Sequence, residues 1–275
     1  MRSVIVPLDG SELASRALES AALAAARAGS AVRLVMRPDP GGEAEAGAHL
    51  GAAAARLGHL EVTTEIVRGA PARAIVAAAA RRPEPVVWMS THGRGALGAA
   101  LVGSIAEQVV ARATMPVVLV GPEVRADRPM AVGDEILLCS DGSPESAAAV
   151  PVVVDLARAL GLRVVVTEVV GPEEEVAGPG ETVVDEVGRA AADRCAALAG
   201  VLTAAGVDDV QVEVGHGADA AASIAHRARR HPVALVAMAT HGRTGLRRVV
   251  MGSVALRTVH LSPCPVVVVR SGPAA

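Results

Sequence analysis

The sequence predicts an α/β protein made of two copies of one parallel-sheet unit, and three observations carry that prediction. Short runs rich in valine, isoleucine and leucine alternate with alanine-rich segments of helical length. The apolar runs are continuous, as strands covered on both faces require. The order of runs in the first half of the chain then returns in the second. At 275 residues the chain is long enough for two domains. A hydrophobic share of 51% supplies real cores, and a charged share of 20% excludes a disordered chain. Prolines, glycines and charges cluster over residues 121–133, which divides the chain into a first domain over 1–122, a linker over 123–133 and a second domain over 134–275.

Residues 3–8 read as the first strand and end at Asp9-Gly10-Ser11; residues 135–140 match them and end at Asp141-Gly142-Ser143. An alanine-rich helix follows in each copy. Ser11 and Ser143 suit its N-cap, Pro144 its first position, and Gly29 and Gly161 its left-handed stop. Glu12 and Arg16 face each other one helical turn apart. Second strands are expected at 32–36 and 163–170, and third strands at 61–67 and 210–214. Fourth strands follow at 85–89 and 233–238, and fifth strands at 116–120 and 265–269. Further helices are expected at 71–80, 104–113, 218–230 and 253–261. Asp9 and His92 are 83 positions apart, whereas Asp141 and His241 are 100 apart, so the second copy carries 17 extra residues. Most of these fall around 171–186, an acidic, glycine- and proline-rich stretch that reads as a surface loop.

Composition removes several function classes. All 26 basic residues are arginine, a bias that GC-rich codons explain. Without lysine there is no Walker-A loop and no Schiff-base chemistry. A net charge of −3, with arginines scattered among acids, leaves no electrostatic footprint for nucleic acid. The densest basic patch, from Arg227 to His231, reads as a solvated helix terminus. Cys139, Cys195 and Cys264 form no CxxC pair and read as buried free thiols of a reducing cytosol. His226 and His231, five apart, share no helix face, and no His/Cys cluster has metal-ligand spacing. The chain enters a strand at once, with no signal-peptide core, and no run approaches the roughly 18 apolar residues of a membrane span. A cytoplasmic protein is expected.

The most specific signal is THGRGALGAALVGS at residues 91–104, which returns as THGRTGLRRVVMGS at 240–253. Gly93 and Gly103 are ten positions apart, as are Gly242 and Gly252, and each second glycine precedes a serine, Ser104 or Ser253. Glycines let backbone N–H groups approach an anion, and a Gly-Ser that opens a helix points unsatisfied N–H groups at it. The pattern reads as a phosphate cradle, present twice. In a doubly wound sheet, ligands bind at the carboxyl ends of the strands where the winding reverses. Asp9 and Asp141 end the first strands and the Thr-His-Gly segments end the fourth. If those strands are neighbours, carboxylate and cradle share one crevice. The carboxylate suits a ribose hydroxyl, adenine or bound Mg²⁺.

Competing readings stand beside these. Arg94 and Arg243 reach a phosphate or lie in solvent. Ser104 and Ser253 serve as helix N-caps or phosphate contacts, and their shared spacing favours the contact. Asp9 and Asp141 form an Asp-Gly-Ser corner or a site, and their place at a strand end favours the site. His92 and His241 lack a nucleophile or acid partner and read as loop packing. Residues 93–98 spell GxGxxG, but after a fourth strand and without a matching second copy, so the match is coincidental.

On these residues both halves resemble the universal stress protein family, in its tandem two-domain form, across nearly the whole chain. The family signature G-x2-G-x9-G-[ST] reads here as Ser90-x2-Gly93-x9-Gly103-Ser104 and Ala239-x2-Gly242-x9-Gly252-Ser253. Its spacing is kept, while Ser90 and Ala239 replace the opening glycine. The family's strand-one aspartate falls on Asp9 and Asp141. Its adenine-contacting position falls on Val169, which matches, and on Arg37, which departs and precedes Pro38. Cys139 stands where the first half has Pro7.

The resemblance implies two Rossmann-like domains of the adenine nucleotide alpha hydrolase-like kind. Each is a five-stranded parallel sheet of order 3-2-1-4-5 flanked by helices. The two pair through their last strands as an internal pseudo-dimer, with homo-oligomers left open. ATP with Mg²⁺ is the implied ligand, held by Asp9, Ser90, Gly93, Arg94, Gly103 and Ser104 in the first half. In the second half the implied set is Asp141, Val169, Ala239, Gly242, Arg243, Gly252 and Ser253, and this is the better-matched site. An ATP-binding role in stress response or signalling follows, with no catalytic residue. The rival readings are an ATP hydrolase or adenylyl-transfer enzyme on the same fold, and a nucleotide-free dimerisation or scaffold module.

Overall fold

The computed structural model describes residues 1–92, 102–124, 134–171, 186–240 and 251–270. The first half runs β1 (Ser3–Leu8), α1 (Glu12–Ala28), β2 (Ala31–Met36), α2 (Glu43–Ala55), β3 (Val62–Ile66), α3 (Pro71–Ala80), β4 (Pro85–Ser90), α4 (Ser104–Arg112) and β5 (Val117–Val120). The second runs β6 (Glu135–Ser140), α5 (Val150–Leu160), β7 (Arg163–Val170), α6 (Glu186–Ala204), β8 (Val210–His216), α7 (Ala220–Arg230), β9 (Val233–Ala239), α8 (Ser253–Leu261) and β10 (Val266–Val269). Among the described residues no helix is long and apolar enough to cross a membrane. The expected linker, apart from Glu123 and Val124, and most of the expected loop around 171–186 lie outside the described residues.

The ten described strands form one sheet, in the order β3-β2-β1-β4-β5-β10-β9-β6-β7-β8. Each half is parallel and doubly wound, with its strands in the order 3-2-1-4-5. The halves meet where β5 and β10 pair antiparallel, Leu119 opposite Val266 and Val117 opposite Val268. Both strands are short and all-apolar, and either would be an exposed sticky edge if left unpaired. Successive strand residues point to opposite faces, so each strand feeds two cores. Val4, Val6, Trp88, Ile136 and Leu138 pack with α1, α2, α5 and α6. Ile5, Val87, Leu119, Leu137 and Val236 pack with α3, α4, α7 and α8.

Local chemistry explains the helix ends. Ser11 caps α1 by accepting the Ala14 N–H at 3.2 Å, and Gly29 stops it in the left-handed conformation at φ 59°. The small side chains of α1 (Ala14, Ala17, Ala21, Ala24, Ala25) let it settle closely on the sheet. There Trp88 donates its indole N–H to the Ser20 hydroxyl at 3.1 Å. The second half departs from expectation. Pro144 does not begin the helix; a 3-10 turn at Ser146–Ala149 comes first, and α5 starts at Val150. Pro151 has no N–H to return to the preceding turn, which suits its place in the first turn of α5, one residue after the helix begins. Ser143 caps the short turn instead, its hydroxyl accepting from Ser146 N at 3.2 Å.

The basic patch near Arg227 also corrects the sequence reading. Arg227 is largely buried and binds Glu135 at the start of β6 and Glu213 of β8, the latter at 2.9 Å. Glu135, 1% exposed, is held as well by Arg163 at 3.0 Å. A buried carboxylate demands such partners, which turns part of a solvated terminus into an internal ion network.

Two predictions follow from the packing. A Cβ on Gly121, just past β5, would overlap the Val259 carbonyl oxygen of α8, whereas one on Gly29 meets nothing within 4 Å. Gly29→Ala is expected to cost about 1 kcal/mol, the price of a left-handed alanine, and Gly121→Ala more than about 2 kcal/mol through overpacking at the seam. Urea unfolding checks this; equal losses would contradict it. All three cysteines are buried, and burial pushes the Cys195 thiol up to about 11 and the Cys139 thiol up as well. Native protein at pH 8 is therefore expected to resist a thiol reagent that titrates all three thiols after denaturation. A fast native thiol would contradict the packing. By linkage, the Cys195 contribution to stability is intact below its ordinary value of 9.0 and is lost as pH rises toward about 11.

Candidate functional site

In the first half, β1 lies between β2 and β4, which is where the winding direction reverses. At the carboxyl ends of these strands opens a cavity of about 430 Å³. That volume suits a small organic ligand. Its lining joins apolar residues, Val35, Met36, Val67, Ile75 and Met89 among them, with polar ones. Asp9, Ser90, Gly103 and Ser104, four of the residues singled out in the sequence, all line it.

Each has a structural reason for its place. Asp9 follows β1, and its Oδ1 accepts the Ser11 N–H at 3.0 Å, so the Asp-Gly-Ser corner holds the carboxylate at the cavity. Ser90 ends β4. Thr91 donates its N–H to the Val120 carbonyl at 3.0 Å and accepts from Gly103 N at 2.8 Å. The chain leaving β4 and the chain entering α4 are thereby stitched together. A Cβ on Gly103 would lie 2.8 Å from the Thr91 oxygen, so only glycine permits the approach.

Gly103, not Ser104, is the N-cap of α4; it is extended and supplies no side-chain cap. Ser104 is the first helical residue. The amides of Ser104, Ile105 and Ala106 open the helix, where no intrahelical acceptor exists, and all three residues line the cavity. The helix dipole adds positive potential there. His92 lines the cavity with Nδ1 3.0 Å from the Thr91 hydroxyl. Gly93 and Arg94 lie outside the described residues.

Sequence reasoning missed part of this wall. Arg37 was noted only as a departure, yet with Pro38 and Asp39 it lines the cavity, its Nη1 donating to the Pro38 carbonyl at 3.2 Å. Glu45 and Ala46, from the first turn of α2, complete that side. The signal for Arg37, Pro38 and Asp39 is positional: they follow directly on the end of β2.

The second half repeats the backbone with different side chains. Gly252 caps α8 and donates to the Thr240 carbonyl at 2.6 Å, and Ser253 is the first helical residue. Ala239 ends β9. Asp141 follows β6, and its Oδ1 accepts both the N–H (3.1 Å) and the hydroxyl (2.5 Å) of Ser143. Val169 leans against Gly215 of β8, where a Cβ would come within 3.2 Å of its Cγ2. Beside it, Glu168 is 2% exposed and accepts from Arg194 of α6 at both oxygens, at 2.6 and 3.0 Å. The Glu168 hydrogen bond raises the Arg194 guanidinium further above its ordinary value. Gly242 and Arg243 lie outside the described residues. Among the described residues, no group of three or more His, Cys, Asp or Glu side chains could hold a metal ion.

Comparison with known proteins places this architecture. The model of the universal stress protein family matches residues 36–121 and again 134–270. Universal stress protein Rv2005c of Mycobacterium tuberculosis is 30% identical over 214 residues, which is 77% of this chain and 70% of that protein. A universal stress protein of Mycolicibacterium smegmatis is 32% identical over 216 residues, 77% of this chain and 69% of its own length. Among solved structures, a universal stress protein from Archaeoglobus fulgidus superposes with a TM-score of 0.68 at 18% identity, covering 99% of this chain and 97% of that one. The cytoplasmic domain of a prokaryotic cation chloride cotransporter superposes too, with a TM-score of 0.56 at 10% identity over 97% of this chain and 94% of that one. The fold is therefore shared beyond one function. With two matches of the family model in one polypeptide, and relatives at this identity along most of its length, the chain belongs to the universal stress protein family in a tandem arrangement.

Proposed function

We propose that this protein binds ATP with Mg²⁺ in the first-half cavity, as a stress-response or signalling protein of the cytoplasm that binds nucleotide without turning it over. One observation carries the reading: a carboxylate, Asp9, and the opening amides of α4 border the same 430 Å³ cavity at the strand reversal. The adenine would lie against Met36, Ile75 and Met89, and a ribose hydroxyl would donate to Asp9. The phosphates would meet the amides and hydroxyl of Ser104, with Gly103, Ser90 and the adjoining Gly93 and Arg94 completing the cradle. Gly103 fits such a cradle because a Cβ there would crowd the strand–helix stitch. Mg²⁺ is commonly held by one or two carboxylates plus phosphate oxygens, which a single aspartate allows. In this reading the units 1–122 and 134–275, joined through 123–133, act as an internal pseudo-dimer across β5 and β10.

Binding is favoured over catalysis by the cavity's own chemistry. Phosphoryl transfer relies on an oriented nucleophile and on cations at the transferred group. Arg37, the guanidinium in the described lining, is engaged with the carbonyl of its neighbour just past the end of β2.

Titration calorimetry with Mg-ATP tests the proposal. Saturable binding is expected, and Asp9→Ala is expected to weaken it about tenfold, the worth of roughly 1.4 kcal/mol. No heat at millimolar nucleotide would contradict the reading and favour a nucleotide-free scaffold. Multiple turnover of ATP that disappears in Asp9→Ala would favour an enzyme.

A further inference from the structure

The two halves share a backbone plan, yet the end of the second strand differs between them in a way that bears on how many ligands one chain can hold. In the first half Leu8 pairs with Met36, and in the second Ser140 pairs with Glu168. Leu8 and Ser140 each directly precede the strand-one aspartate, so Met36 and Glu168 are counterparts by register as well as by order. Met36 lines the first-half cavity. Its counterpart is a buried carboxylate.

The facing helix changes in step. Gly58 and Gly206 precede β3 and β8; counting back twelve residues from each gives Ala46 of α2 and Arg194 of α6. Ala46 lines the first-half cavity with Met36. Arg194 instead closes on Glu168 with two hydrogen bonds, at 2.6 and 3.0 Å. An apolar wall and a methyl group are thus replaced by two long side chains bonded to one another. A ligand's base could enter there only by displacing Arg194, which would strand a carboxylate that is 2% exposed.

The strand-one corner of the second half is tied by hydrogen bonds as well. Ser11 and Ser143 each accept the N–H of the residue three further on, Ala14 and Ser146, and Ser143 also donates its hydroxyl to Asp141 at 2.5 Å.

We propose that the chain is a one-site protein: the first half takes the nucleoside phosphate, and the Glu168–Arg194 pair fills the base end of the matching crevice in the second half as a built-in plug. This rests on the nucleotide-binding reading above and reverses the expectation, drawn from the family signature, that the second half is the better site. The pair is then a specificity device of the duplication, holding one half in a permanently closed, ligand-independent form.

Native mass spectrometry of the full chain with Mg-ATP, combined with 8-azido-ATP crosslinking and peptide mapping, tests it. Wild-type protein is expected to bind one nucleotide and to be labelled only in first-half peptides, around residues 35–46. The double variant Glu168→Met/Arg194→Ala, checked for folding by circular dichroism, is expected to bind two and to gain label near Val169. Two nucleotides on the wild type, or label in its second half, would overturn the proposal while leaving nucleotide binding intact. A folded double variant that still binds one would overturn the plug. No nucleotide on either protein would overturn both the proposal and the reading beneath it. Should the double variant not fold, the position of the wild-type label decides the matter alone.

Discussion

Where β4 ends, the backbone of Gly103 passes so close to the Thr91 carbonyl that no side chain fits between them. This contact fixes the start of α4 against the end of the sheet, and much else depends on it. It sets the amides of Ser104, Ile105 and Ala106 at the cavity that Asp9, just past β1, also lines. Thr91 is tied in turn to Val120, so the same stitch links the start of α4 to β5 and through it to the seam between the halves. Gly252 and Thr240 repeat the device in the second half. The glycine of the motif is therefore required by the fold before any ligand is considered, and the open amides are a consequence of that geometry.

Duplication has kept this backbone and released the side chains. Trp88 fills the first-half core against α1, while the corresponding stretch of β9 carries only small and aliphatic residues. Pro151 delays the start of α5, and its counterpart helix α1 begins promptly behind Ser11. Glu135 draws Arg163 and Arg227 into an internal ion network at the start of β6. A one-sheet arrangement tolerates such divergence because each half has its own strand reversal, away from the β5–β10 seam.

The strands were legible because double-sided burial writes continuous valine-rich runs, and the motif spacing marked Asp9, Gly103 and Ser104 without any structure. The strand order followed from the family resemblance, since periodicity alone cannot order parallel strands. What escaped had physical causes. The alanine- and glycine-rich α2 offers little contrast between its faces, so its helix left a weak pattern. Arg227 looked like a solvated terminus because its partner Glu135 lies 92 positions earlier, beyond any local window. Met36 and Met89 gave no signal of their own, because an apolar residue at a strand end looks the same in sequence whether it faces a neighbour or a cavity. The acidic side of the rim, Asp39 and Glu45, belongs to a turn and a first helical turn that composition marks only as polar.

At the centre of the account stands the proposal that an anionic ligand meets this protein at the first turn of α4. Amide-resolved NMR titration with Mg-ATP tests it most directly. The account predicts saturable shifts of the Ser104, Ile105 and Ala106 amides, accompanied by residues around Asp9. Shifts that spare the α4 start and gather elsewhere, or no shift at saturating nucleotide, would contradict it.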